Sequence, residues 1–117
     1  MAMKLKQVLI PRVVERFQAM ADENRIRLLM RLEESPANVS TLQTELGIAQ
    51  ASVSKHLAVL RRAGLVDVQR MGTQSVYAIV DPSVFEICRI VCDGVARQLQ
   101  RDQAVLQAIN PEEFAHE

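Results

Sequence analysis

The sequence predicts a mainly α-helical fold with one small β-hairpin (α+β). Apolar residues recur at helical spacing over most of the 117 residues, whereas a stretch near residues 65–80 is rich in β-branched residues around a glycine turn. The chain has one Tyr, three Phe and no Trp, so its core must be aliphatic, which suits packed helices. This length fits one domain, and we expect residues 1–117 to form a single domain.

Two helices are predicted in the first third of the chain. The first begins near Pro11, because proline is tolerated in the first turn of a helix. The second follows the polar break at residues 22–24 and ends at residues 35–38, because Pro36 cannot continue the helical hydrogen-bond ladder.

A pair of short helices joined by a glycine turn follows. Ser40 is a suitable N-cap for the first helix, and Gly47 closes it. The second helix runs from about Gln50 to Ala63 and stops at Gly64. Two helices joined in this way form a helix-turn-helix, here over about residues 40–63.

A hairpin is expected directly after this pair, over about residues 65–80. Leu65–Arg70 and Gln74–Val80 are the predicted strands, with Met71-Gly72-Thr73 as the turn between them. A hairpin at this place is a wing, so the sequence predicts a winged helix-turn-helix.

A long last helix is predicted over about residues 82–109, capped by Asp81 or Ser83. Its apolar side chains fall on one narrow stripe, opposite a polar side. In so small a domain we expect such a stripe on a terminal helix to meet a second subunit. The stripe comprises Val84, Cys88, Val91, Val95, Leu99, Leu106 and Ile109.

The formal net charge is zero, but the charges are unevenly distributed. Residues 81–117 carry seven acidic residues against three arginines, whereas residues 50–80 carry one acid, Asp67, against four basic residues. A basic region of this kind is favourable for phosphate binding even when the total charge is zero. The four basic residues are Lys55, Arg61, Arg62 and Arg70.

The helix over residues 50–63 has one face suited to the major groove of DNA. With Val53, Leu57 and Leu60 directed to the core, the opposite arc is small, hydroxylic and cationic. Such a surface has little bulk and supplies donors and acceptors for base edges and charge for phosphates. Taken alone, Lys55 also fits an ordinary solvated side chain; its place between a glycine turn and a hairpin favours DNA contact. The arc is formed by Ala51, Ser54, Lys55, Arg61 and Arg62.

Three further features beside this face have a predicted role. His56 lies nearer the core edge, where it either bonds to a backbone group or contacts a phosphate at the groove margin. Arg70, with Thr73 and Gln74 of the turn, forms a wing tip that can reach the DNA backbone or minor groove. Tyr77 is either a packing residue of the hairpin or a phosphate donor.

Two segments resemble the arsenic-repressor (ArsR/SmtB) family of regulators. Residues 17–29, FQAMADENRIRLL, resemble the family's opening F-x-A-L-(A/S)-D-x-x-R-L-x-I-L. Residues 46–66 resemble its signature L-G-x-S-Q-x-x-(V/L)-S-x-H-L-x-x-L-(R/K)-x-A-G-L-V, within a match over about residues 10–82. The resemblance implies a homodimer joined largely by terminal helices, and a repressor that an inducer releases from an inverted-repeat operator in double-stranded DNA. It places the family's reading residues at Gln50, Ser52, Ser54, Lys55 and His56.

The chain departs from the family at two well-known metal sites. Many members carry Cys-x-Cys at the start of the third helix, where this chain has Asn38 and Ser40. Others carry Asp-x-His and a later His-x-x-Glu on the last helix, where this chain has Asp81, Ser83, Gly94 and Arg97. We therefore expect no metal ion and no cofactor.

Cys88 and Cys92 are four residues apart on the last helix, so their side chains are neighbours. They are either two small apolar residues at a dimer seam or, doubled by the dimer axis, a sensor of an oxidant, arsenite or a soft metal. No third soft ligand lies nearby, and a disulfide within one helix has unfavourable geometry, so a bond across the dimer would be easier.

The sequence therefore favours a DNA-binding regulator over two other classes. A winged-helix module that docks proteins has no need of a row of cations along one surface. An enzyme is not expected, because we find no Gly-rich phosphate loop, no nucleophile–base pair and no suitable carboxylate pair. No apolar run approaches the ~20 residues that span a bilayer, and the N-terminus is a poor secretory signal, so we expect no membrane partner and a cytoplasmic location.

Overall fold

A computed structural model describes residues 3–108. In chain order its elements are α1 (Met3–Met20), α2 (Glu23–Glu34), β1 (Ala37–Asn38), α3 (Val39–Leu46), α4 (Gln50–Arg62), β2 (Val66–Met71), β3 (Gln74–Ile79) and α5 (Val84–Ala108). The mainly α-helical fold with a small sheet is confirmed. The chain divides into two compact units, Met1–Pro82 and Ser83–Glu117. The single domain over residues 1–117 stays a prediction.

The core of the first unit is aliphatic, as the composition predicts. Val53, Leu57 and Leu60 of α4 are 0% exposed, because their spacing of three and four residues places them on one side of the helix. Because this side of α4 is packed in the core, the opposite side of the helix faces away from the core. The fully buried side chains of the unit are Leu28, Leu29, Leu42, Val53, Leu57, Leu60, Leu65 and Val66.

α3 begins earlier than predicted, because its N-cap is Asn38 and not Ser40. The Asn38 Oδ1 accepts a hydrogen bond of 2.8 Å from the backbone N–H of Thr41, which would otherwise lack a partner in the first turn. Ser40 therefore lies inside the helix. Gly47 ends α3 as predicted, with a φ of 65° and its N–H bonded to the Gln43 carbonyl.

α1 begins at Met3, so the predicted start near Pro11 is wrong. Pro11 lies inside the helix, where it cannot donate to the Gln7 carbonyl. The preceding segment nevertheless consists largely of good helix formers, Met, Lys, Leu and Gln, which outweigh this local loss. Among the described residues of α1, only Ala19 and Met20 are buried.

The three strands form an antiparallel sheet in the order β1-β3-β2. β2 and β3 are the predicted hairpin, paired from Val66 with Ile79 to Met71 with Gln74. The turn between them is Gly72-Thr73, one residue shorter than predicted, because Met71 is already paired. β1, which pairs Ala37 with Tyr77, was not predicted, since two residues are too few to show a periodic pattern.

α5 is the long last helix and extends over 25 residues. Its observed bounds agree with the predicted 82–109 within two residues at the start, and Ile109 lies outside the described residues. Most of its apolar side chains are exposed in the single chain, including Ile90 at 69% and Leu99 at 62%. Neither α5 nor another helix within residues 3–108 is long and apolar enough to cross a membrane.

Candidate nucleic-acid interface

α4 presents the predicted small and cationic face away from the core. Lys55 and Arg62 are exposed, on the side of the helix opposite Val53 and Leu57. Ser52 and His56, toward the edges of this face, are partly buried. The remaining predicted residues of α4, all exposed, are Gln50, Ala51, Ser54 and Arg61.

The cations of this surface differ in their partners. Arg61 Nε lies 3.1 Å from Asp67 Oδ1, at the start of the wing, so this guanidinium is partly neutralised. Lys55, Arg62 and Arg70 form no ion pair within residues 3–108. The unpaired cations are therefore the stronger candidates for phosphate contact, a distinction that the sequence alone did not indicate.

An open groove of about 440 Å³ lies between α4 and β3. It is lined by Ala58, Arg61, Arg62 and Tyr77. Tyr77 is partly buried and pairs with Val68 across the hairpin, which fits its packing role, but it also lines the groove beside two guanidinium groups. The fold thus brings the end of α4 and the middle of β3 together around one open, basic depression.

The wing tip is exposed at Arg70, Thr73 and Gln74. Gln74 is also tied to the start of α3, because its Oε1 accepts a hydrogen bond of 2.9 Å from Asn38 Nδ2. Asn38 therefore caps α3 with its oxygen and holds the wing with its nitrogen. Sequence reasoning assigned Asn38 to a lost metal position and missed this double role, since the two partners are 36 residues apart.

His56 is hydrogen-bonded to Arg25, which matches the arginine of the family's opening motif but to which the sequence assigned no role. Arg25 Nη1 lies 3.3 Å from His56 Nδ1. The same guanidinium donates through Nε to the Ala19 carbonyl at 2.6 Å and through Nη2 to the Gln18 carbonyl at 3.1 Å. The predicted bond from His56 to a backbone group is absent among the hydrogen bonds of residues 3–108, and its contact with a phosphate stays a prediction.

Asp22 is the N-cap of α2 and lies close to this pair. Its Oδ1 accepts a hydrogen bond of 3.1 Å from the backbone N–H of Arg25. This bond lowers the pKa of the Asp22 carboxyl below its ordinary value of 3.8; burial opposes the shift, and the nearby His56 and Arg25 side chains add to it. The carboxylate therefore stays ionised at neutral pH beside the edge of α4.

Cys88 and Cys92 are both reduced thiols on α5. Cys88 is partly exposed and Cys92 is exposed. Within residues 3–108, no three His, Cys, Asp or Glu side chains converge on a position that could hold a metal ion. Of the family's metal positions, Asn38 caps α3, and Asp81 forms an ion pair with Arg16.

Residues 22–68 match the family model described as bacterial regulatory protein, arsR family. The chain is 35% identical over 94 residues to the HTH-type transcriptional regulator Rv0081 of Mycobacterium tuberculosis, which covers 80% of this chain and 82% of the relative. It is also 35% identical to the HTH-type transcriptional repressor SmtB of that organism, over 70% of this chain and 58% of the repressor.

Two solved structures share this fold. The crystal structure of Rv0081 superposes with a TM-score of 0.70 at 30% identity, over 86% of this chain and 98% of that chain. The solution structure of a fragment of Mb0332 from Mycobacterium bovis, described as a homodimeric winged helix-turn-helix DNA-binding domain, has a TM-score of 0.73 at 26% identity, over 82% and 89%. The shared fold, the family match over the α2–β2 region and the identity to Rv0081 agree, and the chain belongs to the ArsR family of winged helix-turn-helix bacterial regulators.

Proposed function

We propose that the protein is a homodimeric transcriptional repressor that binds an inverted-repeat operator through α4 and the wing, and that an effector releases it. The observation that carries the proposal is the division of α4 into a fully buried apolar side and an exposed side with unpaired cations. Its relatives are transcriptional regulators, one of them named a repressor. We place its action in the cytoplasm, where bacterial DNA is accessible, and assign it no enzymatic activity.

The chemistry of the α4 surface supports a nucleic-acid partner. Lys55, Arg62 and Arg70 can approach phosphates without first breaking an internal ion pair. Ser54 and Gln50 supply donors and acceptors of the kind that reads base edges in the major groove. A wing held to α3 through Asn38 and Gln74 supports a second contact beside the groove.

The exposed apolar side chains of the terminal helices support a homodimer. Single soluble chains rarely expose so many large apolar residues on one helix. The solved relative Mb0332 is described as homodimeric. A twofold dimer presents two copies of α4, which accounts for an inverted-repeat operator. The exposed residues are Met3, Leu5, Val8, Leu9, Ile10, Val13, Val14 and Phe17 on α1, and Ile87, Ile90, Val91, Val95, Leu99, Val105 and Leu106 on α5.

Fluorescence anisotropy with the DNA upstream of the protein's own gene tests this function. The apparent affinity of the wild type should fall steeply with salt concentration, because binding releases counterions from phosphates. Lys55→Gln and Arg62→Gln should each weaken binding and lower the salt slope by about one for each phosphate that is no longer neutralised. Arg101→Gln on α5 is the matched control, since Arg101 is also exposed but lies outside the proposed surface. No binding at low salt, or an equal effect of the control, contradicts the proposal and favours a protein-docking module.

A second candidate function is thiol-based sensing through Cys88 and Cys92. The observation that favours it is that two reduced cysteines lie four residues apart on α5, each with some exposure. The Cys88→Ser/Cys92→Ser double variant should keep the DNA affinity of the wild type. It should also abolish release of DNA by an oxidant or by arsenite. Unchanged release from the double variant rules out the sensor and leaves the pair as apolar residues of a dimer interface.

A further inference from the structure

We propose that Arg25 is a positioning residue for DNA binding, which holds the His56 imidazole in a single tautomer so that its Nε2–H donates to a DNA phosphate. The inference rests on the proposed DNA-binding function. It assigns a role to a residue of α2 that lies outside the helix-turn-helix. The contact would add affinity without reading sequence, because a phosphate oxygen is the same at every base.

The guanidinium of Arg25 is itself held in place. Two main-chain carbonyls at the end of α1, those of Gln18 and Ala19, accept hydrogen bonds from its Nη2 and Nε. The backbone N–H of Arg25 is bonded to Asp22, the N-cap of α2. The two carbonyls hold the planar group, and the bond to Asp22 holds the backbone that carries it, so its Nη1 has a defined direction toward α4.

The chemistry of the pair determines where the imidazole proton lies. Arg25 has only donors, so the 3.3 Å contact between its Nη1 and His56 Nδ1 requires a lone pair on Nδ1. A neutral imidazole that accepts at one nitrogen carries its proton on the other. The neutral side chain of His56 therefore exposes an Nε2–H donor on the side of the ring away from Arg25.

The second nitrogen is open to a ligand. His56 Nε2 makes no hydrogen bond within residues 3–108. His56 is partly buried, yet no buried side-chain nitrogen or oxygen among the described residues lacks a hydrogen-bond partner, so Nε2 must reach solvent. His56 directly follows Lys55 in the chain and lies at the margin of the cationic face. A fixed, accessible N–H donor at this margin suits a phosphate oxygen beside the groove.

A double-mutant cycle of Arg25→Met and His56→Gln tests the inference by anisotropy with the same DNA. Arg25→Met should weaken binding about fourfold, since an equal mixture of tautomers halves the binding-competent form of His56 in each of the two subunits of a dimer. In the His56→Gln background it should weaken binding less than about twofold, because the Gln amide offers a donor near Nε2 that has no tautomer to fix. Arg27→Met is the control, because Arg27 is an exposed neighbour on α2 whose ion pair, among residues 3–108, is with Glu23 alone.

Imidazole ¹⁵N chemical shifts, measured where His56 is neutral, supply a reading that a merely structural role would not change. The wild type should show the Nε2–H tautomer alone, and Arg25→Met a mixture of both tautomers. If Arg25→Met fails to fold, as judged by circular dichroism, Arg25→Gln takes its place, since its amide can either donate to or accept from Nδ1 and so does not fix the tautomer.

Three outcomes overturn the inference. The first is a mixture of both tautomers in the wild type, which would show that Arg25 does not fix the position of the imidazole proton. The second is an equal loss of affinity from Arg25→Met in the wild-type and His56→Gln backgrounds. That result would show that Arg25 contacts DNA itself or acts elsewhere. Because the wild type still binds DNA in that case, the proposed function would stand. Absence of DNA binding by the wild type overturns both proposals together.

Discussion

Arg16, near the end of α1, and Asp81, just after β3, form an ion pair in which Nη1 and Oδ2 are 2.8 Å apart. The Nε of the same guanidinium donates to the Ala63 carbonyl at 3.1 Å, at the C-terminal end of α4. Gly64 beside it has a φ of 80°, and a Cβ added there would lie 3.2 Å from Arg16 Nη2. One arginine thus links the end of the candidate recognition helix to α1 and to the end of the wing.

The Arg16 link should contribute to stability mainly through its carbonyl bond. Arg16→Met should lower the free energy of unfolding by about 1–2 kcal/mol, because the Ala63 carbonyl loses its donor. Asp81→Asn should cost less than about 1 kcal/mol, since the pair is 45% and 31% exposed and therefore well screened. Urea denaturation at one fixed protein concentration measures both values. A larger loss for Asp81→Asn than for Arg16→Met would contradict this ranking.

Asn38 and Ser40 offer a matched comparison of the observed and the expected helix cap. Asn38→Ala should destabilise the protein by about 1 kcal/mol, because the Thr41 N–H loses its acceptor. Asn38→Asp should recover the part of this loss that comes from capping, since a carboxylate also caps a helix, but not the hydrogen bond that Nδ2 donates to Gln74. Ser40→Ala should change the free energy of unfolding by less than about 0.5 kcal/mol, because Ser40 lies within α3 with its side chain exposed to solvent. Thermal or urea unfolding that ranked Ser40→Ala above Asn38→Ala would contradict the observed cap.

The Asp22 carboxyl should make stability depend on pH in the acid range. Its pKa in the folded state is lowered, so its ionised form stabilises the protein above the unfolded value near 3.8, and this contribution is lost as the pH falls through the folded value. Asp22→Asn retains a capping oxygen but does not titrate. The urea midpoint of the wild type should exceed that of the variant at about pH 6, and the gap should narrow as the pH falls below 3.8. A gap that is independent of pH would refute the assignment.

The exposed apolar side of α5 should be required for dimer formation. Leu99→Asp places a charge on a side chain that is 62% exposed in the single chain, so the subunit should still fold. Light scattering should show a dimer for the wild type and a monomer for this variant, because a charge buried in an apolar interface is strongly disfavoured. Gln100→Asp, one position along on the polar side, should remain dimeric. A dimer that survives Leu99→Asp would place the interface elsewhere.

The elements that the sequence predicted correctly are those with a periodic apolar pattern or a glycine signal. The buried positions of α4 follow from three residues at helical spacing, and Gly47 and Gly72 mark turns that require a positive φ. The two-residue strand β1 has too few residues for such a signal. The start of α1 differs from the prediction because the helix formers before Pro11 outweigh the proline signal.

The bonds that shape the candidate interface could not be read from local patterns. His56 meets Arg25 from a position 31 residues away, and Asn38 meets Gln74 from 36 residues away. Such pairs depend on the tertiary fold, because hydrogen bonds between side chains follow from packing and not from sequence spacing. The residues of the DNA face could be predicted because one helix carries most of them, and their contact with DNA stays a prediction.

The strict separation of the two sides of α4 has an evolutionary consequence. The positions that hold the helix in the molecule, such as Val53, Leu57 and Leu60, are fully enclosed, and those that face outward contribute almost nothing to the core. Under the proposed function, replacing an outward residue therefore changes what the surface recognises at little cost in stability. After gene duplication, a lineage built on this scaffold can acquire a new target one substitution at a time, without compensatory changes in the interior.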